Sequence, residues 1–106
     1  MQSQRNKIMN KQIEINKVRI IKFLKDKNFV RQKDFNSFIQ FDRKLENKYK
    51  IISVIIIENK MYIMLHTIHT NDYLFSKYFM LDVFEQELNV LLKQMETFIS
   101  VYEFLF

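Results

Sequence analysis

The residue types that could perform catalysis are few in this chain, and their spacing does not suit it. His66 and His69 lie in a stretch with strand character, where an odd separation puts two side chains on opposite faces, so both could not chelate one metal ion without a β-bulge. Glu85 and Glu87 are two apart on a predicted helix and do not face each other. We therefore predict no enzyme activity, no metal site, no cofactor and no small-molecule substrate.

The serines do not change this prediction. A nucleophilic serine of the elbow type needs glycine beside it, and a phosphate-cradling loop needs several glycines. The chain contains no glycine at all. The hydroxyl groups are therefore interpreted as ordinary polar side chains, and the phenylalanines and methionines of the predicted helices as core residues.

Charge is the stronger functional signal, because it is unevenly distributed along the chain. Residues 1–50 carry 14 lysines and arginines against five acids, a net charge of +9. Residues 51–106 carry three lysines against seven acids, a net charge of −4. A field of this kind suits a protein that places one side against a polyanion and another side against protein.

The basic residues of the first third are the candidate RNA contacts. Lysine predominates over arginine there, which fits point-charge contact with phosphates better than bidentate reading of bases. The alternative is a solvated lysine-rich surface without a nucleic-acid role. With one histidine at the predicted end of a strand, the candidates are Arg5, Lys7, Lys11, Lys17, Arg19, Lys22, Lys25, Lys27, Arg31, Lys33 and His69.

Composition indicates the compartment. Phe, Tyr, Met, Ile, Asn and Lys together make up 58 of 106 residues, and glycine and proline are absent. The enriched types have AT-rich codons and the missing ones GC-rich codons, so we infer an AT-rich genome such as that of an organelle. Cysteine is also absent, which excludes disulfides and thiolate metal sites. No apolar run approaches the roughly 20 residues of a transmembrane helix, so no membrane span is expected.

Hydrophobic periodicity predicts the elements that would carry these residues. An alternating, β-branched stretch predicts a first strand, a stripe at helical spacing predicts a helix after it, and a run rich in isoleucine predicts a buried central strand. Asn28 or Asp34 could cap the first helix, and Asp82 with Glu85 resembles a capping box for the second. In order, the predicted elements are strand 18–24, helix 29–45, strand 49–57, turn 58–60, strand 61–69, loop 70–76, a short extended stretch or the approach to a helix over 77–81, a helix after residue 82 and strand 99–106.

This order predicts an α+β fold of the ferredoxin-like βαββαβ type, in which two helices cover one face of a four-stranded antiparallel sheet. The three-residue connection at 58–60 makes the two central strands antiparallel neighbours. We predict a basic N-terminal arm over residues 1–12 and a single domain over residues 13–106.

Three segments resemble the small-subunit ribosomal protein S-ten family. Residues 17–22 (KVRIIK) resemble its first strand, where basic and aliphatic residues alternate. Residues 61–69 (MYIMLHTIH) are similar to its second hairpin strand, which closes on a small hydroxyl residue, a spacer and a histidine, matched here by Thr67, Ile68 and His69. Residues 99–104 (ISVYEF) resemble its closing strand. The resemblance implies a reduced, organellar member of that family.

The resemblance and the charge split together predict a structural component of the small ribosomal subunit, in the mitochondrial matrix and encoded in the organelle. Its partners would be ribosomal RNA and neighbouring ribosomal proteins, with His69 near RNA at the base of a loop. The alternative is an accessory, protein-binding subunit of another organellar assembly, such as a respiratory complex.

Overall fold

Two long helices flank five consecutive strands in the computed structural model, which describes residues 2–32, 37–45, 49–67 and 73–105. The side chains of residues 2–6, 73–75 and 105 are not part of the description. The order is α1 (Gln2–Asp26), β1 (Val30–Arg31), β2 (Ile39–Leu45), β3 (Lys50–Ile57), β4 (Lys60–Thr67), β5 (Tyr73–Met80) and α2 (Glu85–Leu105). The α+β class is therefore confirmed. The four-stranded sheet and the βαββαβ order are wrong.

The sheet is an antiparallel meander in the order β1-β2-β3-β4-β5, with β3 at its centre. The predicted central strand and its antiparallel hairpin partner are confirmed, joined by Glu58 and Asn59. Glu58 occupies the left-handed region at φ 51°. Residues 68 and 69 of the predicted second strand lie outside the described residues.

Both helices pack on one face of this sheet. Alternate residues of β2, β3 and β4 point toward the helices, and they pack against the buried stripe of each helix to form the core. The core comprises Ile20, Leu24, Phe29, Phe41, Leu45, Ile52, Val54, Ile56, Met61, Ile63, Leu65, Leu81, Leu88, Leu91, Met95, Ile99 and Tyr102.

The predicted first strand, residues 18–24, is wrong: it is part of α1. Its β-branched residues favour a strand locally, but Asn16, Ile20 and Leu24 are buried four residues apart, as one face of a helix requires. The predicted boundary between a basic arm and the domain, between residues 12 and 13, lies inside this helix.

The predicted helix over residues 29–45 is also wrong, since β1 and β2 occupy its described part. Phe41 and Leu45 are buried and Arg43 shares their face, which is the alternation of a strand. Asn28 is a cap, but of the preceding helix. It adopts φ 66°, and the Phe29 N–H donates to the Leu24 carbonyl at 2.9 Å, closing α1 with a Schellman motif. Asp34, the other predicted cap, lies outside the described residues.

The C-terminal part of the chain departs from the prediction in two places. The predicted closing strand over residues 99–106 is wrong, because residues 99–105 are the last third of α2, where Met95, Ile99 and Tyr102 continue its buried stripe, and residue 106 lies outside the described residues. The extended stretch predicted at 77–81 is the end of a full strand, β5. A helix after residue 82 is confirmed, but the capping box is wrong: the Leu88 N–H donates to the Phe84 carbonyl, so Phe84 and not Asp82 precedes the first turn.

Burial of Tyr102 in this core makes stability sensitive to high pH. Desolvation raises the pKa of its phenol from 10.0 to about 12. Below pH 10 both folded and unfolded chains hold the proton. Between pH 10 and about 12 the unfolded chain releases it while the folded chain keeps it, so the stability lost across this range is on the order of 2–3 kcal/mol.

We expect Tyr102→Phe to lose less stability than the wild type between pH 8 and pH 11, measured as the shift of the urea midpoint. The comparison cancels the titration of lysines and exposed tyrosines, which both proteins share. An equal alkaline loss in the two proteins would contradict a buried phenol as its source.

Candidate nucleic-acid interface

A buried side-chain amide hydrogen-bonds helix α1 to the rest of the fold. Asn16, with none of its surface exposed, donates through Nδ2 to the Leu81 carbonyl and to the Val83 carbonyl, both at 2.8 Å. Gln12 Nε2 in turn donates to Asn16 Oδ1 at 2.8 Å. These bonds satisfy two carbonyls of the segment between β5 and α2, and they fix how α1 is rotated about its axis.

That rotation determines which basic residues face solvent. Lys7, Lys11, Lys22 and Lys25 all lie on the exposed face of α1, opposite the buried stripe. At 3.6 residues per turn they fall within about 60° of one another around the helix axis. The helix rise of 1.5 Å per residue spreads them over about 27 Å. We call these four residues the lysine stripe.

No member of the lysine stripe has an ion-pair partner within the described part of the chain. The stripe consists of two close pairs, about 16 Å apart along the axis. Between the pairs lie Ile15, which is 44% exposed, and Val18, which is 67% exposed. Two acids of α1 flank the stripe: Glu14 is 3.8 Å from the Lys17 ammonium, and exposed Asp26 lies one turn after Lys22. The stripe is therefore a surface of net positive charge on a helix.

Of the other predicted RNA contacts, those with described side chains do not join this surface. Arg19 bridges to α2, with Nη1 3.0 Å from Glu85 Oε1 and Nη2 2.7 Å from Asn89 Oδ1. Lys27 pairs with Glu96 at 3.6 Å. The two helices therefore compensate part of each other's charge. Part of the charge difference between the two halves of the sequence is thus neutralised within the fold, by contacts between a basic and an acidic helix.

The remaining candidates are placed elsewhere or not described. Arg31 lies in the short edge strand β1, on the exposed surface. Arg5 lies in the first part of α1, and its side chain is not among those described. Lys33 and His69 lie outside the described residues.

The face of the sheet away from the helices is a second candidate surface, which we call the open face. Within the described chain it carries Ile51, Ile55, Ile57, Tyr62, Met64, Tyr78 and Met80 from β3, β4 and β5. Tyr62 and Tyr78 are direct cross-strand neighbours with ring centroids 5.9 Å apart. The pair could not be predicted from the sequence, because residues 70–76 have the polar composition of a loop and nothing in the stretch after them specifies a partner strand.

Ser53 and His66 form the polar centre of the open face. Ser53 is 1% exposed, and its Oγ is hydrogen-bonded to His66 Nε2 at 2.7 Å. Asp42 is the cross-strand neighbour of Ser53 and accepts a hydrogen bond from Gln40 Nε2 at 3.0 Å. The Ser53–His66 bond joins β3 to β4 across this face.

Neither metal binding nor membrane crossing is indicated over the described ranges. No group of three or more His, Cys, Asp or Glu residues is placed there to hold a metal ion. Neither helix offers an apolar stretch of the length that would span a bilayer.

Comparison with family models, with curated proteins and with solved structures found no match to this chain.

Proposed function

We propose that this protein is a structural, RNA-binding component of a ribonucleoprotein, and that the assembly is the small ribosomal subunit of a mitochondrion. The observation that carries the proposal is the lysine stripe: four exposed ammonium groups on one face of α1, without ion-pair partners in the described structure. Such a surface contacts phosphates without reading sequence, which is how structured RNA is held in large assemblies.

The spacing of the lysine stripe favours an RNA backbone, rather than an acidic protein segment, as its ligand. Two pairs of point charges about 16 Å apart on a rigid helix match a ligand whose charges recur at regular intervals along a stiff path. The buried amide of Asn16 keeps the helix in place, so the ammonium groups are held in position before RNA arrives.

The resemblance to the S-ten family can be compared with the fold segment by segment. Of the three segments that resemble the S-ten family, residues 61–67 are in a strand, whereas 17–22 and 99–104 are helical. Membership of that family therefore remains a proposal supported by the β4 segment and by the composition. A structural role without catalysis is part of the proposal, supported by the absence of glycine, which a nucleophile elbow or a phosphate-binding loop would need.

A second candidate is favoured by the open face. An apolar surface with exposed Tyr78 and Met80 is typical of a contact with protein, as in an accessory subunit of another organellar complex such as a respiratory complex. In that case the acids of α2 and the apolar open face would contact subunits, and the lysine stripe would meet an acidic partner.

Co-sedimentation tests the two candidates against each other. We expect the tagged protein to sediment with small ribosomal subunits from lysed mitochondria at 50 mM salt and to be released by high salt, because phosphate contacts are lost as counterions compete. Sedimentation with a detergent-solubilised membrane complex instead, or with no assembly at low salt, would contradict the ribosomal proposal.

A further inference from the structure

The open face has an exposed aromatic corner where β4 meets the edge strand β5. Tyr78 is 60% exposed, and its neighbour Tyr62 is half-buried. Their rings are tilted by 37° at a centroid distance of 5.9 Å. Among the described residues β5 pairs with β4 alone, so one side of this corner lies at the edge of the sheet.

The corner is held rigidly. Tyr62 lies between its cross-strand neighbours Ile55 and Tyr78, and Met64 follows it on the same face. On the opposite face, Met61 and Ile63 are buried in the core, so β4 cannot rotate without losing that packing. A ring already fixed in this way loses little conformational entropy when a flat ligand stacks on it.

Positive charge lies next to the rings. Lys60 is exposed, precedes Tyr62 by two residues on the same face, and is the cross-strand neighbour of Met80. Asp42, the acid on the described part of the open face, is two strands across and two residues along from Tyr62, about 12 Å away, and is hydrogen-bonded by Gln40. The nearest acid along the chain is Glu58, in the turn between β3 and β4.

We propose that unpaired bases of single-stranded RNA stack on Tyr62 and Tyr78, while Lys60 contacts the adjoining phosphate. An exposed aromatic pair on a sheet whose other face carries the helices is a stacking platform, and a neighbouring cation suits the charged backbone better than an apolar protein surface. The inference rests on the proposed RNA-binding function and adds a second ligand class to it. The lysine stripe contacts phosphates of structured RNA, and the aromatic corner binds unpaired bases.

Tyrosine fluorescence provides the test, because the chain contains no tryptophan. The probes are a uridine decamer, which is single-stranded, and a blunt RNA hairpin, which is paired. We expect the decamer to quench tyrosine emission in the wild type. Tyr78→Ala should weaken decamer binding about tenfold or more and leave hairpin binding unchanged, whereas Tyr78→Phe, which keeps the ring, should stay within about threefold of the wild type.

The matched control is Tyr49→Asn. Tyr49 is 69% exposed, precedes β3 and lies at φ 52°, a conformation that asparagine tolerates. We expect the Tyr49→Asn variant to bind the decamer as tightly as the wild type does.

If Tyr78→Ala kept the wild-type affinity for the decamer, and the hairpin still bound, the inference would be overturned and the proposed function upheld. A wild-type dimer that Tyr78→Ala converts to a monomer, with decamer affinity unchanged, would assign the face to a second copy. If the wild-type protein bound neither the decamer nor the hairpin, both proposals would be rejected.

Discussion

Removing the charge of either lysine pair should weaken binding to structured RNA by about tenfold or more at low salt. The variants are Lys7→Gln with Lys11→Gln, and Lys22→Gln with Lys25→Gln. The cause is the loss of phosphate contacts, each of which also releases condensed counterions when it forms. All four side chains are exposed, so we expect the urea midpoint to change little.

Salt dependence makes this prediction quantitative. Four phosphate contacts correspond to a slope of roughly −3 to −4 for log K against log salt, so wild-type affinity should fall about a hundredfold between 50 and 200 mM. Each double variant should reduce the slope by about two. Filter binding of a radiolabelled RNA hairpin over this salt range measures both quantities.

The matched control removes the same charge elsewhere. Lys44 and Lys93 are exposed, on β2 and α2 respectively, and Lys44→Gln with Lys93→Gln lowers the net charge by two without touching the lysine stripe. We expect it to retain hairpin affinity within about threefold. If the control weakens binding as much as the stripe variants do, net charge and not the arrangement on α1 would explain the affinity.

Replacing Asn16 by leucine should cost roughly 2–5 kcal/mol of the free energy of unfolding. Leucine fills a similar volume but cannot donate to the carbonyls of Leu81 and Val83, and a buried polar group left without its partner costs about 1–3 kcal/mol. Since domains are typically stable by only 5–15 kcal/mol, this is a large fraction of the total. Urea denaturation followed by circular dichroism measures it.

Asn16→Asp should be more destabilising still, because it buries a carboxylate against two carbonyl oxygens. Asn10→Leu, at an exposed position on the same helix, is the control and should change stability by less than about 1 kcal/mol. Wild-type stability in Asn16→Leu would show that the apolar contacts of Ile20 and Leu24 alone hold α1 in place. In that case the amide would not be what orients the lysine stripe.

Some of the fold could be predicted from the sequence because local pattern and tertiary environment agree there. The isoleucine-rich β3 is buried at the centre of the sheet, and its short connection to β4 permits only an antiparallel partner. The polar cluster at residues 25–28 ends an element whatever its type, since Asn28 tolerates a positive φ in a chain without glycine. The stripe after Asp82 is helical over enough turns to be unambiguous.

The ends of the chain could not be predicted in the same way. Over six or seven residues, a composition rich in isoleucine, lysine and phenylalanine fits a period of 2 as well as a period of 3.6. Residues 18–24 and 99–104 satisfy both. Only burial against the sheet distinguishes them, because it selects Ile20 and Leu24 in α1 and Ile99 and Tyr102 in α2.

The same distinction between local pattern and tertiary environment applies to the charged residues of the candidate site. The α+β class, the buried central hairpin and the order of a basic half before an acidic half could be predicted from residue types and their spacing. Which charges face outward depends on how the elements pack. Arg19 and Lys27 are opposite acids of α2, whereas Lys7, Lys11, Lys22 and Lys25 are not. The physical reason is that charge is a property of a residue, but exposure depends on the rotation of α1, and buried Asn16 sets that rotation through carbonyls 65 and 67 residues away in sequence.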